Sequence, residues 1–118
     1  MTEADRIRIV HILEAAKESI SFAAGKSRIN FDTDRQLQMA VVREIEIIGE
    51  AAGKVSEETR KKYPEILWLQ ISNMRNHLAH VYFDIDLDVV WDTLHRNLPL
   101  LIKQIEKILS DTQGRGVA

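Results

Sequence analysis

Cysteine is absent from the 118 residues, which excludes disulfides, thiolate metal sites, redox pairs and a cysteine nucleophile. No apolar run approaches the roughly 20 residues that cross a bilayer. The opening MTEADRIRIV begins with acids and lacks the unbroken apolar core of a secretory signal. A cytoplasmic location without membrane contact is therefore expected. Five glycines and two prolines leave few breakpoints. There is no surplus of positive charge either: 16 Lys and Arg stand against 18 Asp and Glu, for a formal charge of −2. That balance argues against a general duplex-DNA binder, although it leaves room for a small, locally basic site. Dinucleotide-binding, Walker and Gly-x-Ser-x-Gly patterns are all missing.

What remains is a composition of 45% apolar and 29% charged residues. This fits one soluble domain over residues 1–118, with an ordered core of about 2–110, large enough to fold without staples. Apolar residues recur at three and four rather than alternating, so the chain is expected to be all-α. A first helix over about 2–24 carries Ile9, Leu13, Ala16 and Ile20, with Thr2 and Asp5 as a capping start and Gly25 as its stop. Residues 26–33 are expected to form a loop. A second helix, starting at 32–34 and ending near Val55, carries Leu37, Val41, Ile45, Ile48 and Ala52. Gly49 inside it suggests close packing against another helix. Ser56 caps a short helix to Lys62. A third long helix begins at Pro64, with Leu67, Ile71, Met74, Leu78 and Val81 inward. A fourth runs over about 87–110 with Val90, Leu94, Leu98, Leu101, Ile105 and Ile108, kinked near His95 because Pro99 has no N–H to give. The final residues from Gln113 are expected to fray. The sum is an antiparallel four-helix bundle with one extra short helix.

Chemistry concentrates in Arg75-Asn76-His77-Leu78-Ala79-His80-Val81-Tyr82. Trp68, Arg75 and Tyr82 are seven apart and share one helical stripe, separate from the core stripe. An arginine between small residues and rings suits an oxyanion or phosphate. His80 lies about 140° around the helix from Arg75, so either the helix distorts or two chains join their motifs across a twofold axis. A face bearing Trp68 and Tyr82 suits the second arrangement. The same residues also admit a structural reading, with Arg75 bridging Asp84 or Glu65 and His80 ending a helix. A metal is not expected: His77 and His80 lack carboxylate partners, and Asp92-x-x-His95 has no second copy. Glu46 and Glu50 sit one turn apart, as a solvated face or, for Glu50, a supporting site residue. Arg60-Lys61-Lys62 with Lys26 and Arg28 is a modest basic cluster. Asp84, Asp86, Asp88 and Asp92 read as helix caps.

Arg75 to Tyr82 resembles the Arg-x4-His-x-Tyr motif of HepT-like proteins in the HEPN superfamily. Ile48-Gly49-Glu50-Ala51-Ala52, Tyr63-Pro64-Glu65-Ile66-Leu67-Trp68, Tyr82-Phe83-Asp84-Ile85-Asp86 and Leu98-Pro99-Leu100 resemble that family's other segments, in order, over about residues 5–110. The resemblance implies an all-α, HEPN-like homodimer. It implies the toxin of a type VII toxin–antitoxin module, an endoribonuclease that needs no metal or other cofactor. Its implied partner is an MntA-like minimal nucleotidyltransferase antitoxin that places AMP on the motif tyrosine. Carried onto this chain, Arg75 and His80 are catalytic, Asn76 is supporting and Tyr82 is the modified residue. A different class remains open: a non-catalytic HEPN module that binds a nucleotide or a nucleotidyltransferase.

Overall fold

Thr2 opens the first helix, α1 (Glu3–Ala23), by accepting the Asp5 N–H on its side-chain oxygen at 3.1 Å. Gly25 follows the helix at φ 74°, the left-handed conformation that lets the chain turn without a Cβ penalty. The computed structural model describes residues 1–74 and 85–117, with side chains as far as Thr112.

The expected loop after Gly25 instead holds a short helix, α2 (Arg28–Asp32). Ser27 and Asn30 cap each other reciprocally, which supplies the partners that so short a helix cannot supply itself. Phe31 then turns into the core with no exposure, a burial worth about 2–3 kcal/mol. Gln38 closes the far end by donating to the Phe31 and Asp32 carbonyls.

Asp34 caps α3 (Arg35–Lys54) within the expected limits. Leu37, Val41, Ile45, Ile48 and Ala52 are all buried, as the spacing requires. On α1 the buried line runs through Ile9, Ile12, Ala16 and Ala23, whereas Leu13 and Ile20 are half-buried flanks. Asp5 meets Ser56 at one end of the α1–α3 pair and Glu18 acts on Glu44 at the other, so the two helices are antiparallel.

Ser56 caps α4 (Glu57–Lys62) as expected. Pro64 does not start the next helix. Residues 64–66 form a turn, and α5 (Trp68–Ser72) begins four residues after the proline. This start sets the facing: Trp68, Ile71 and Met74 are buried, while Leu67 is 60% exposed. The third long helix expected here continues into residues outside those described. Gly49 of α3 lies where any Cβ would stand 3.3 Å from the Ile71 and Ser72 carbonyl oxygens, so the expected close packing is present and its partner is the α5 backbone.

Asp86 caps α6 (Leu87–Asp92) through the Asp88 and Val89 amides. The helical path continues through a π-helical turn at Thr93–Asn97 into α7 (Leu98–Val117). The Leu98 N–H reaches back to the Thr93 carbonyl, five residues earlier. Pro99 cannot donate, and the expected disturbance near His95 takes this wider form. Val90, Leu94, Leu98, Leu101, Ile105 and Ile108 are buried as expected. The helix runs on to Val117, past the expected end at Ser110. The architecture is all-helical, with α1, α3 and the α6–α7 run around one core.

Candidate functional site

Arg75, Asn76, His80 and Tyr82 lie outside the described residues, as do His77, Leu78, Val81 and Asp84. The chain up to Met74 is described and corrects one expectation. Trp68 does not form a surface stripe. It is 7% exposed, and its indole Nε1–H donates to the Tyr63 carbonyl at 3.0 Å. The later helix start rotates it inward and rotates Leu67 outward. A subunit contact built on an exposed Trp68 is therefore excluded.

Met74, next to Arg75 in the chain, lines a cleft of about 520 Å³ between α5 and the α6–α7 run. Ile71, Met74, Val89 and Leu101 form its apolar floor. Leu67 and Leu100 stand at it with 60% and 57% exposure. Its polar lining includes the amides of Gln70, Asn97 and Gln104. Gln104 is held by its bond to the Glu65 carbonyl at 3.1 Å. Glu65 and Asp92 are its charged residues. An apolar slot edged by amides can take a flat ring and hydrogen-bond its rim. None of these lining amides was singled out from sequence. Leu100 carried a faint signal, a large apolar residue off its helix's core stripe.

Glu50 is exposed and does not line that cleft. It belongs to a second groove of about 390 Å³ between α1 and α3, shared with Ile7, Arg8, His11 and Lys54.

Most of the basic cluster is engaged locally. Arg28 pairs with Asp32 and Asp88, both at 2.7 Å, and lies 5.9 Å from the centre of the Trp91 ring. Arg60 donates to the Val55 and Gly53 carbonyls and so satisfies the C-terminal end of α3. Lys61 pairs with Glu57 at 3.2 Å. The acidic stretch acts as expected where described: Asp86 caps, and Asp88 meets Arg28. His95 stacks on Trp91 at 4.1 Å and contacts the Trp91 carbonyl at 2.9 Å, while Asp92 faces Arg96. Among the described residues no three His, Asp or Glu side chains gather as a metal site.

A family model described as ribonuclease HepT-like matches residues 12–108. The chain belongs to the HepT-like family. A HepT-like relative in Methanocaldococcus jannaschii, named "Putative RNase", is 36% identical over 92% of this chain and 90% of its own length. The "Probable ribonuclease HepT" of Thermococcus cleftensis is 38% identical over 67% of this chain and 72% of its own. A second M. jannaschii protein, "Gamma-glutamylcyclotransferase and putative RNase", is 37% identical over 90% of this chain but 48% of that longer protein. No solved structure matches. Membership supports nuclease activity and RNA as the substrate class for this HepT-like chain. Among its described residues no helix is long and apolar enough to cross a membrane.

Proposed function

We propose that this chain is the toxin of a type VII toxin–antitoxin module, a homodimeric, metal-independent endoribonuclease neutralised by AMP on Tyr82. The observation that carries this reading is the ribonuclease HepT-like match over residues 12–108, which spans Arg75 to Tyr82. The residue types support the chemistry. RNA carries its own nucleophile: the 2′-oxygen attacks the neighbouring phosphorus, the bond to the 5′-oxygen breaks, and a 2′,3′-cyclic phosphate and a 5′-hydroxyl result. One His80 imidazole accepts the 2′-proton, and a protonated His80 of the second copy supplies a proton to the departing 5′-oxygen. Arg75 offers fixed donors to the charge that builds on the phosphorane. Asn76 supports that site as a neutral donor and acceptor. Glu50, exposed in the α1–α3 groove, is a candidate supporting residue at longer range. An MntA-like nucleotidyltransferase is the proposed antitoxin. AMP on Tyr82 would add an anionic phosphodiester and a nucleoside beside Arg75, excluding RNA by charge and volume.

One observation favours the second reading, a non-catalytic module. Arg28, Arg60 and Lys61 are already engaged, and the cleft between α5 and the α6–α7 run carries acids. A cleavage assay in EDTA decides. Wild-type protein is expected to leave 2′,3′-cyclic ends, with Arg75→Ala and His80→Ala each slower by roughly 10²–10⁴-fold. Equal residual cutting by all three proteins would leave the non-catalytic module standing. Loss of cutting on chelation would overturn metal independence.

A further inference from the structure

We propose that the cleft between α5 and the α6–α7 run is a base-reading subsite, and that it takes a guanine of single-stranded RNA beside the scissile phosphate. This rests on the ribonuclease reading above and adds a sequence preference to it.

Met74 lines the cleft and is joined by one peptide bond to Arg75, the residue proposed to hold the phosphate. A base and its phosphate are linked through a single ribose, so their subsites must adjoin. The cleft's volume of about 520 Å³ lies within the roughly 300–1,000 Å³ of small-molecule sites. Its floor of Ile71, Met74, Val89 and Leu101 is apolar, and a thioether such as that of Met74 packs well on a ring. Leu67 and Leu100 stand exposed at the mouth, where they can cover the ring from solvent. Single-stranded RNA offers its unstacked bases in this way, with a face for packing and an edge for hydrogen bonds.

The polar lining selects the base. Gln104 donates one N–H to the Glu65 carbonyl at 3.1 Å, which fixes its amide and leaves one N–H and the oxygen. Gln70 and Asn97 add further amides. None of the described lining residues is a Lys, Arg or His, and the charged ones are Glu65 and Asp92. Those acids repel a phosphate but accept from N–H donors. Guanine carries N1–H and the N2 amino group side by side, a match for the two oxygens of a carboxylate, and its O6 and N7 accept from amides. Uracil sets its single N–H between two carbonyl oxygens, which the acids repel. A second copy of the chain fits less well, because a self-complementary contact here would bring acids together.

The test uses the full chain and three short 2′-O-methyl RNAs, which cannot supply the attacking hydroxyl. They are all uridine except at one central position, which is uridine, guanosine or inosine. Inosine lacks the N2 amino group. By fluorescence anisotropy the guanosine strand is expected to bind about 10-fold more tightly than the uridine strand, with inosine between them. In Glu65→Gln/Asp92→Asn that preference should fall to about twofold, while the uridine strand binds no more weakly than before. A merely structural role for the acids would weaken all three strands alike. Both acids are exposed, and circular dichroism melts check that the variant is folded. Cutting of the 2′-hydroxyl strands without a guanosine preference in binding would overturn this subsite and leave the ribonuclease reading standing. A guanosine preference that the double variant loses, with no cutting of any strand, would keep the subsite and remove the ribonuclease reading. A Leu100→Asp variant that sediments differently from wild type yet binds all three strands unchanged would assign the cleft to a second copy and overturn the proposal.

Discussion

The Asp5 carboxylate, near the start of α1, receives the backbone N–H of Ser56 at 3.0 Å and the Ser56 hydroxyl, fifty-one residues later in the chain. The Thr59 hydroxyl adds a third donor at 2.6 Å. One side chain thus ties the start of α1 to the cap of α4. Burial raises the carboxyl pKa, but the Ser56 and Thr59 hydrogen bonds lower it further, and the net direction is down. Its stabilising contribution is therefore present above the unfolded carboxylate range, near pH 4, and lost as pH falls through the lower native value. Asp5→Ala leaves those donors unpaired and is expected to cost about 2–3 kcal/mol at neutral pH. The loss should shrink in denaturant titrations at about pH 3, and a constant loss would point to packing instead.

Gly49 sets two effects against each other. Alanine gains about 1 kcal/mol in helix propensity, but its Cβ must push on the α5 carbonyls at 3.3 Å. Gly49→Ala is expected to be close to neutral. Gly49→Val adds bulk without that gain and should cost roughly 2 kcal/mol. Thermal melts of the pair decide, and a stable valine variant would mean that α5 slides freely.

Ser19 is fully buried on α1, and its hydroxyl has no hydrogen-bond partner among the described residues. Removing that oxygen removes a desolvation penalty. Ser19→Ala is expected to stabilise the fold by about 1 kcal/mol, read as a higher urea midpoint at constant slope. A lower midpoint would reveal a partner for the hydroxyl.

Glu44 has a raised native pKa, first from burial and then from Glu18. Its relative stabilisation is present below the unfolded value and lost as pH rises through the native one. Glu44→Gln should therefore raise Tm at pH 7 and make little difference near pH 4. The opposite order would mean that the Arg43 charge, which lowers the Glu44 pKa, outweighs burial and Glu18.

Tyr82→Phe removes the hydroxyl that would carry AMP. Incubation with the proposed nucleotidyltransferase partner and ATP should add an adenylate mass to wild-type protein and none to the variant. The same added mass on the phenylalanine variant would move the modification to another residue.

Sequence alone determined the all-helical class, the caps at Thr2 and Ser56, a cap within residues 32–34 and another within 84–86, and the buried seams of α3 and the final helix. These follow from local rules of period and polar capping, which act within a few residues. The Arg-x4-His-x-Tyr motif is contiguous in the sequence, but its residues lie outside those described. Tertiary structure decided what depends on distant partners. Trp68 turned inward because the Pro64 turn delayed α5, and the rotation of a helix follows from where it starts. Phe31 drew a five-residue helix out of an expected loop, since core burial supplied what so short a segment lacks. Arg8 and Lys54 are 46 residues apart in the chain and line one groove only because α1 packs against α3, which no local pattern can specify.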